Sequence, residues 1–142
     1  MSTPGSRQAT APGLSGEGEY LALRTTLLPR DTNYHGTIFG GVILSQIDLA
    51  GAGTAWRYTQ HNFVTVSMEE VKFLQPVFVG DEISYWGKIL KVGRTSICVQ
   101  VRVEARRRES HELVEVTRAV VTYVAVDEQR RPTPVEPGPQ ST

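Results

Sequence analysis

The stretch IFGGVILSQIDLAGAGTAW, residues 38–56, decides how this chain folds. Its nineteen residues hold one charged side chain, Asp48, among Val42, Ile43, Leu44, Ile47, Leu49 and many small residues. The spacing predicts a helix with apolar residues on nearly every side, and such a helix must be enclosed by protein or by lipid. An Asp near the centre of a membrane span costs about 2.5–3.5 kcal/mol, and Ser45, Gln46 and Thr54 add to that cost. No membrane span is therefore expected, and the helix is to be wrapped by the chain's own sheet. On a helical wheel Gly41, Leu44, Ser45, Gly51, Ala52 and Ala55 fall within about 60° of Asp48. Phe39, Ile43, Ile47 and Ala50 lie on the other side, ready to pack on a sheet. The wheel thus predicts a small-residue groove with a carboxylate at its base. Gly51 and Gly53 each cost about 1 kcal/mol relative to Ala inside a helix, so a sheet or a second subunit is expected to approach closely there. Burial of Asp48 without a basic neighbour would disfavour its ionised form, as in catalytic acids and bases. The residue pattern leaves open a core Asp bonded to backbone amides or paired with a distant Arg.

Upstream, DTNYHGTIFGG at 31–41 is a polar, glycine-rich entry into the helix. Thr37 is the expected N-cap. The leading amides of the helix and its positive dipole end suit a developing oxyanion, and Gly40 and Gly41 let a ligand carbonyl reach the backbone. The segment lacks the glycine spacing and Lys of a phosphate loop, which argues against nucleoside triphosphate chemistry.

Downstream, 16 of the 17 valines lie at or after Val64, so the second half reads as sheet. Strands are expected at Phe63–Leu74, stopped by Pro76; at Glu82–Val92, between the Gly80-Asp81 and Gly93-Arg94 turns; at Thr95–Arg106; and at Leu113–Val126. Tyr20–Leu28, closed by Pro29, supplies a first strand. In Thr95–Arg106 the valines alternate with Cys98, Gln100, Arg102 and Glu104, which predicts one buried and one wetter face. The expected class is α+β: one long central helix wrapped by an antiparallel sheet of about five or six strands. Residues 1–19 and the Pro-rich 127–142 read as a disordered leader and a flexible tail, leaving 20–126 as the folded unit.

The 142 residues carry 15 Lys plus Arg against 15 Asp plus Glu, a net charge of zero, which argues against nucleic acid as a partner. One cysteine, Cys98, permits neither an internal disulfide nor a Cys-based zinc cluster. With no basic, apolar leader at the N-terminus, a cytoplasmic location is expected. His61 and His111 lack ligand-spaced partners, so no metal is expected. Arg106, Arg107 and Arg108, flanked by Glu104 and Glu109, read as a solvated hairpin end.

Four stretches in one order, LPRDTNYHGTIFGGVILSQIDLAGAG, VKFLQPVFVGDEI, LKVGRTSI and VVTYVAVDE, in a match over roughly residues 21–126, resemble the hotdog-fold acyl-CoA thioesterases, particularly the bacterial short-chain and brain acyl-CoA hydrolase type. The resemblance implies a hotdog fold and hydrolysis of acyl-CoA. It implies Asp48 as general base or nucleophile, Asn33 from the facing subunit working opposite it, and the Gly40 amide polarising the carbonyl. A homodimer would be the minimal unit, within a tetramer or hexamer. A thioester is already activated, so no cofactor is expected. His35 and Thr37 stand where many relatives carry Asn and Asp, and the tail lacks the additional helical segment of some relatives. The acyl chain is expected along Leu44, Gly51 and Ala55, near Gly41, with His35 as a proton carrier or a packing residue. Lys91 and Arg94, with Ser96 nearby, are the expected partners of the coenzyme A phosphates. Two other readings remain, a noncatalytic acyl-CoA-binding module and a hydratase or dehydratase; the latter needs a His beside the Asp, a place only His35 is offered to fill.

Overall fold

Prolines and glycines end the regular segments much as the sequence predicts. The computed structural model describes Gly13 and residues 16–135. Within it the chain runs through β1 (Tyr20–Thr26), a 3-10 turn at Pro29–Asp31, α1 (Gly40–Tyr58), β2 (Asn62–Glu69), β3 (Glu82–Val92), β4 (Ser96–Arg106) and β5 (Leu113–Val126). The strands form one antiparallel sheet in the order β1-β3-β4-β5-β2. The helix lies against this sheet, touching all five strands, so the α+β arrangement of a long helix cradled by five strands holds. Ile43, Ile47, Ala50 and Thr54 recur at helical spacing and are buried, facing Ile83, Tyr85, Ile97, Val99, Val101, Val103 and Val121 of the sheet. β2 pairs only with β5, so its other edge is a free edge of the sheet.

Two boundary readings are corrected. Thr37 does not cap α1: Phe39 is the N-cap residue and supplies no side-chain bond, because the Thr37 hydroxyl is engaged with Asn33. The strand expected over Phe63–Leu74 ends at Glu69, since Glu70 takes a φ of 63° and turns the chain out of the sheet. Residues beyond it run extended past the start of α1, where Val77 accepts from the Ile38 amide at 2.8 Å and Val116 from the Leu74 amide at 2.8 Å. Arg107 is not solvated either. It reaches Asp81 at 2.6 Å and the Pro76 carbonyl at 2.9 Å and lies over the Phe78 ring, bracing the segment that walls the helix start. Arg106 and Arg108 are exposed.

The expected wet face of β4 is dry. Gln100, Arg102 and Glu104 are buried, Arg102 completely. The Glu19 carboxylate holds Arg102 in a two-point contact, to Nε at 2.9 Å and Nη2 at 2.8 Å, while Arg102 Nη1 donates to Glu104 at 3.1 Å. The Trp86 indole N–H and the Gly13 amide also donate to Glu104. Of the leader expected over 1–19, residues 1–12, 14 and 15 lie outside the described residues, and the rest crosses the outer face of the sheet because buried Arg102 needs those carboxylates. The tail is likewise shorter than expected. Asp127 closes a turn on the amides of Gln129 and Arg131, Thr133 and Val135 bond back to Ala125 and Arg94, and Val135 is fully buried; residues 136–142 lie outside the described residues.

Candidate active site

Asp48 sits in the middle of α1, on the flank turned toward β2 and β5. Oδ1 accepts from the Thr65 hydroxyl at 2.7 Å and from the Tyr123 hydroxyl at 3.1 Å, and that same phenol lies 2.7 Å from the Asp48 main-chain oxygen. Thr65 of β2 and Tyr123 of β5 are directly opposite each other in the sheet register, which is why two hydroxyls converge on one oxygen. Burial, followed by the Asp48 charge and hydrogen bond, pushes the phenol of Tyr123 well above the usual tyrosine range, so it remains a donor. No Lys, Arg or His forms an ion pair with Asp48 among the described residues. The carboxylate is half-buried rather than enclosed. Apolar side chains next to Asp48 in α1 and next to Thr65 in β2 are exposed surface: Leu49 is 65% exposed and Val66 55%.

The expected groove beside Asp48 is filled. Gly51 and Ala55 are buried, and a Cβ on Gly51 would overlap the Tyr123 hydroxyl and come within 3.1 Å of its Cζ. The close approach anticipated at Gly51 is therefore that of a tyrosine from the chain's own sheet. A Cβ at Gly53 would meet nothing. Leu44 is partly buried against the core, whereas Phe39, expected to pack inward, is 58% exposed.

An open cleft lies instead at the start of α1. It has a volume of about 320 Å³ and is lined by Gly40 and Thr37 and by the apolar Ile38, Ile43, Phe73 and Val77, among others. The amide of Gly40 meets no acceptor among the described residues, as befits the first turn of a helix. Its missing side chain leaves the cleft open as far as the Phe73 ring, 3.6 Å from where a Cβ would stand. A Gly41 side chain would strike the ring of exposed Phe39.

Asn33 sits in the turn just before this cleft. Its Oδ1 accepts from the amides of His35 at 2.9 Å and Thr37 at 3.2 Å, and its Nδ2 donates to the Thr37 hydroxyl at 3.0 Å. A primary amide has two N–H donors, so one remains to reach an oxygen outside the turn. His35 is exposed, its ring against that of Tyr34 at 4.1 Å between centroids.

These groups fall into separate places within one chain. Gly40 and Asn33 share the helix start, but Asp48 is eight residues further along, about 12 Å at the rise of an α-helix. Lys91 and Arg94 are exposed at the β3–β4 hairpin, with Ser96 partly buried beside them. That hairpin lies at the opposite end of β3 from the cleft wall, roughly 30 Å away at the rise of a strand. Thr65 and Tyr123 were not anticipated. The valine alternation read in β5 puts Val124 and Val126 on the buried side, whereas Tyr123 is the buried residue and Val124 and Val126 are only partly buried; only the β2–β5 register brings Tyr123 to Asp48, and no local signal encodes that register. No group of three or more His, Cys, Asp or Glu able to hold a metal occurs among the described residues, and none of its helices is long and apolar enough to cross a membrane.

Comparison with known proteins gives a consistent picture. The family model described as the thioesterase superfamily matches residues 35–110. An uncharacterized acyl-CoA thioester hydrolase of Haemophilus influenzae is 45% identical over 114 residues, covering 78% of this chain and 74% of that protein. Acyl-CoA thioester hydrolase YciA of Salmonella typhimurium is 39% identical over 122 residues, covering 84% and 91%. Among solved structures, a hexameric broad specificity acyl-coenzyme A thioesterase superposes with a TM-score of 0.81 at 40% identity, over 86% of this chain and 90% of that one. A hexameric hotdog fold thioesterase of Campylobacter jejuni gives 0.78 at 46% identity, over 82% and 90%.

Proposed function

The chain belongs to the hotdog-fold acyl-CoA thioesterases of the thioesterase superfamily, and from that membership we propose that it hydrolyses the thioester of acyl-coenzyme A at a site built by two protomers. The observation that carries the reading is the uncompensated carboxylate of Asp48, tethered by hydroxyls yet open on one side. Its distance from the Gly40 amide on the same helix gives the reading its two-chain form. A thioester carbon cannot touch both groups of one chain, so the carbonyl is held at the helix start of one protomer and attacked from Asp48 of its partner.

In this arrangement the acyl carbonyl accepts from the Gly40 amide, and the spare N–H of Asn33 steadies the same oxygen or the attacking water. Asp48 takes a proton from that water as it adds to the carbonyl, or adds directly to give a mixed anhydride that water then opens. On either route the C–S bond breaks, the thiolate of coenzyme A leaves and takes up a proton, and the free acid remains. The apolar cleft takes a neutral acyl chain, with Ile38, Ile43, Phe73 and Val77 along it. This replaces the path along Gly51 and Ala55. Lys91, Arg94 and Ser96 face coenzyme A phosphates only if the partner brings its hairpin there. The free edge of β2 and exposed Leu49, Trp56 and Val66 are the surface for that partner, in a dimer that assembles further as the hexameric relatives do. Such an enzyme works in the cytoplasm, where free Cys98 stays reduced.

The test is release of free thiol from a panel of acyl-CoA esters differing in chain length and polarity. Turnover of neutral acyl chains well above the uncatalysed rate is expected. Stoichiometric binding of the esters with no thiol released would leave a binding module instead.

A further inference from the structure

We propose that Tyr123, seated in the gap left by Gly51, is a positioning residue that aims Asp48, leaving Oδ2 as the oxygen that meets the substrate or water. The inference rests on the reading of Asp48 as the catalytic group. Both hydroxyl contacts to the carboxylate fall on Oδ1, while Oδ2 has no partner among the described residues. The phenol also touches the main-chain oxygen of the same residue, so one hydroxyl spans the backbone and the side chain of Asp48 and restricts rotation between them. The free oxygen is then the one left to accept a proton or to attack.

The price of this contact is visible in the sequence. Glycine in mid-helix costs about 1 kcal/mol relative to Ala, and Gly51 is buried, where a methyl group would otherwise be favoured. Any side chain there overlaps the phenol oxygen. The ring itself is fixed independently: Tyr123 is buried, and it meets Phe63 edge-on at 6.4 Å. Removing only the hydroxyl should therefore leave the packing in place. The groups in contact with the carboxylate are the Thr65 hydroxyl from β2 and the phenol from β5, and no charged side chain among the described residues pairs with it.

The experiment compares the wild-type enzyme with Tyr123→Phe, Gly51→Ala and the double variant, following thiol release as a function of acyl-CoA concentration. Tyr123→Phe is expected to lower kcat about 10-fold with KM within about twofold, because a hydrogen bond to a charged group is lost at the reacting side chain. Gly51→Ala, which keeps the tyrosine but displaces its hydroxyl, should reproduce that split between kcat and KM. The double variant should be no slower than the slower single one, as expected when two substitutions remove one contact. Wild-type kcat in Tyr123→Phe would overturn the proposal, as would additive losses in the double variant. These outcomes are separable from failure of the underlying reading, in which an Asp48→Ala enzyme would itself turn over normally.

Discussion

Replacing Asp48 with alanine is expected to lower kcat for acyl-CoA hydrolysis by about 10²–10⁴-fold, the range spanned by general acid–base groups. The loss should appear in kcat rather than KM. The cleft proposed for the acyl chain lies at the start of the helix, and Asp48 is not among its lining residues. Folding should be spared, because the side chain is half-buried and carries no ion pair among the described residues, its contacts being two hydroxyls that water can satisfy. Asp48→Asn is the sharper control. It preserves an acceptor for Thr65 and Tyr123 while removing the charge, and a base or nucleophile needs that charge. Steady-state thiol release by both variants, alongside their unfolding midpoints, gives the answer. A correctly folded Asp48→Ala enzyme with wild-type kcat would remove this residue from the chemistry.

Arg102→Ala is expected to be the most destabilising single substitution, by about 3–5 kcal/mol, the cost of leaving buried charge without its partner. The guanidinium is fully buried and neutralises Glu19 and Glu104, whose side chains are each 2% exposed. Its loss strands two carboxylates against the sheet and releases the segment that Glu19 ties down. Glu19 links the same device to pH. Burial raises its carboxyl, but hydrogen bonds from Arg102 and the Gly16 amide, with the charges of Arg102 and Arg118, more than offset that and hold it below the model-peptide value of 4.5. A carboxyl depressed by folding contributes stability above its unfolded value and loses it as pH falls through the folded one. Wild-type stability should accordingly drop in acid below about pH 4.5, and Glu19→Gln should flatten that part of the curve. Denaturant midpoints at one fixed protein concentration decide the matter. A shift of less than about 1 kcal/mol for Arg102→Ala would mean that water or a neighbour replaces the guanidinium.

The sequence made much of this fold legible because two periods are written into it. The alternating valines and the Gly80 and Gly93 turns locate β3, β4 and β5 almost to the residue, and one long apolar run locates α1. Asp48 stood out for the same reason, as a lone charge on that helix. What stayed hidden depends on residues far apart in the chain. Arg102 and Glu104 alternate with valines as solvent-facing residues do, and only the return of Glu19, 83 positions earlier, makes their side of β4 dry. Gly51 was legible as a place where a sheet or a second subunit comes close, yet nothing local names Tyr123, 72 positions on, as the side chain that fills the gap. Asn33 was singled out only through the resemblance, and the turn it sits in accounts for three of its side-chain hydrogen bonds. The cleft at the helix start escaped notice because its far wall, Phe73 to Val77, was expected to be strand as far as Leu74, whereas the positive φ of Glu70 swings it across the first turn of α1.

The two-protomer site is tested most directly by mixing subunits. Asp48→Ala and Asn33→Ala proteins, each impaired alone, are dissociated, combined in equal amounts and reassembled. In a mixed pair the Asn33→Ala protomer supplies an intact Asp48 and its partner an intact Asn33, so one of the two symmetry-related sites is whole. Random pairing makes half of the pairs mixed, and activity should rise to about a quarter of wild type. Activity that stays at the mean of the two parents after proven subunit exchange would place Asp48 and Asn33 in the same chain's site and contradict the account.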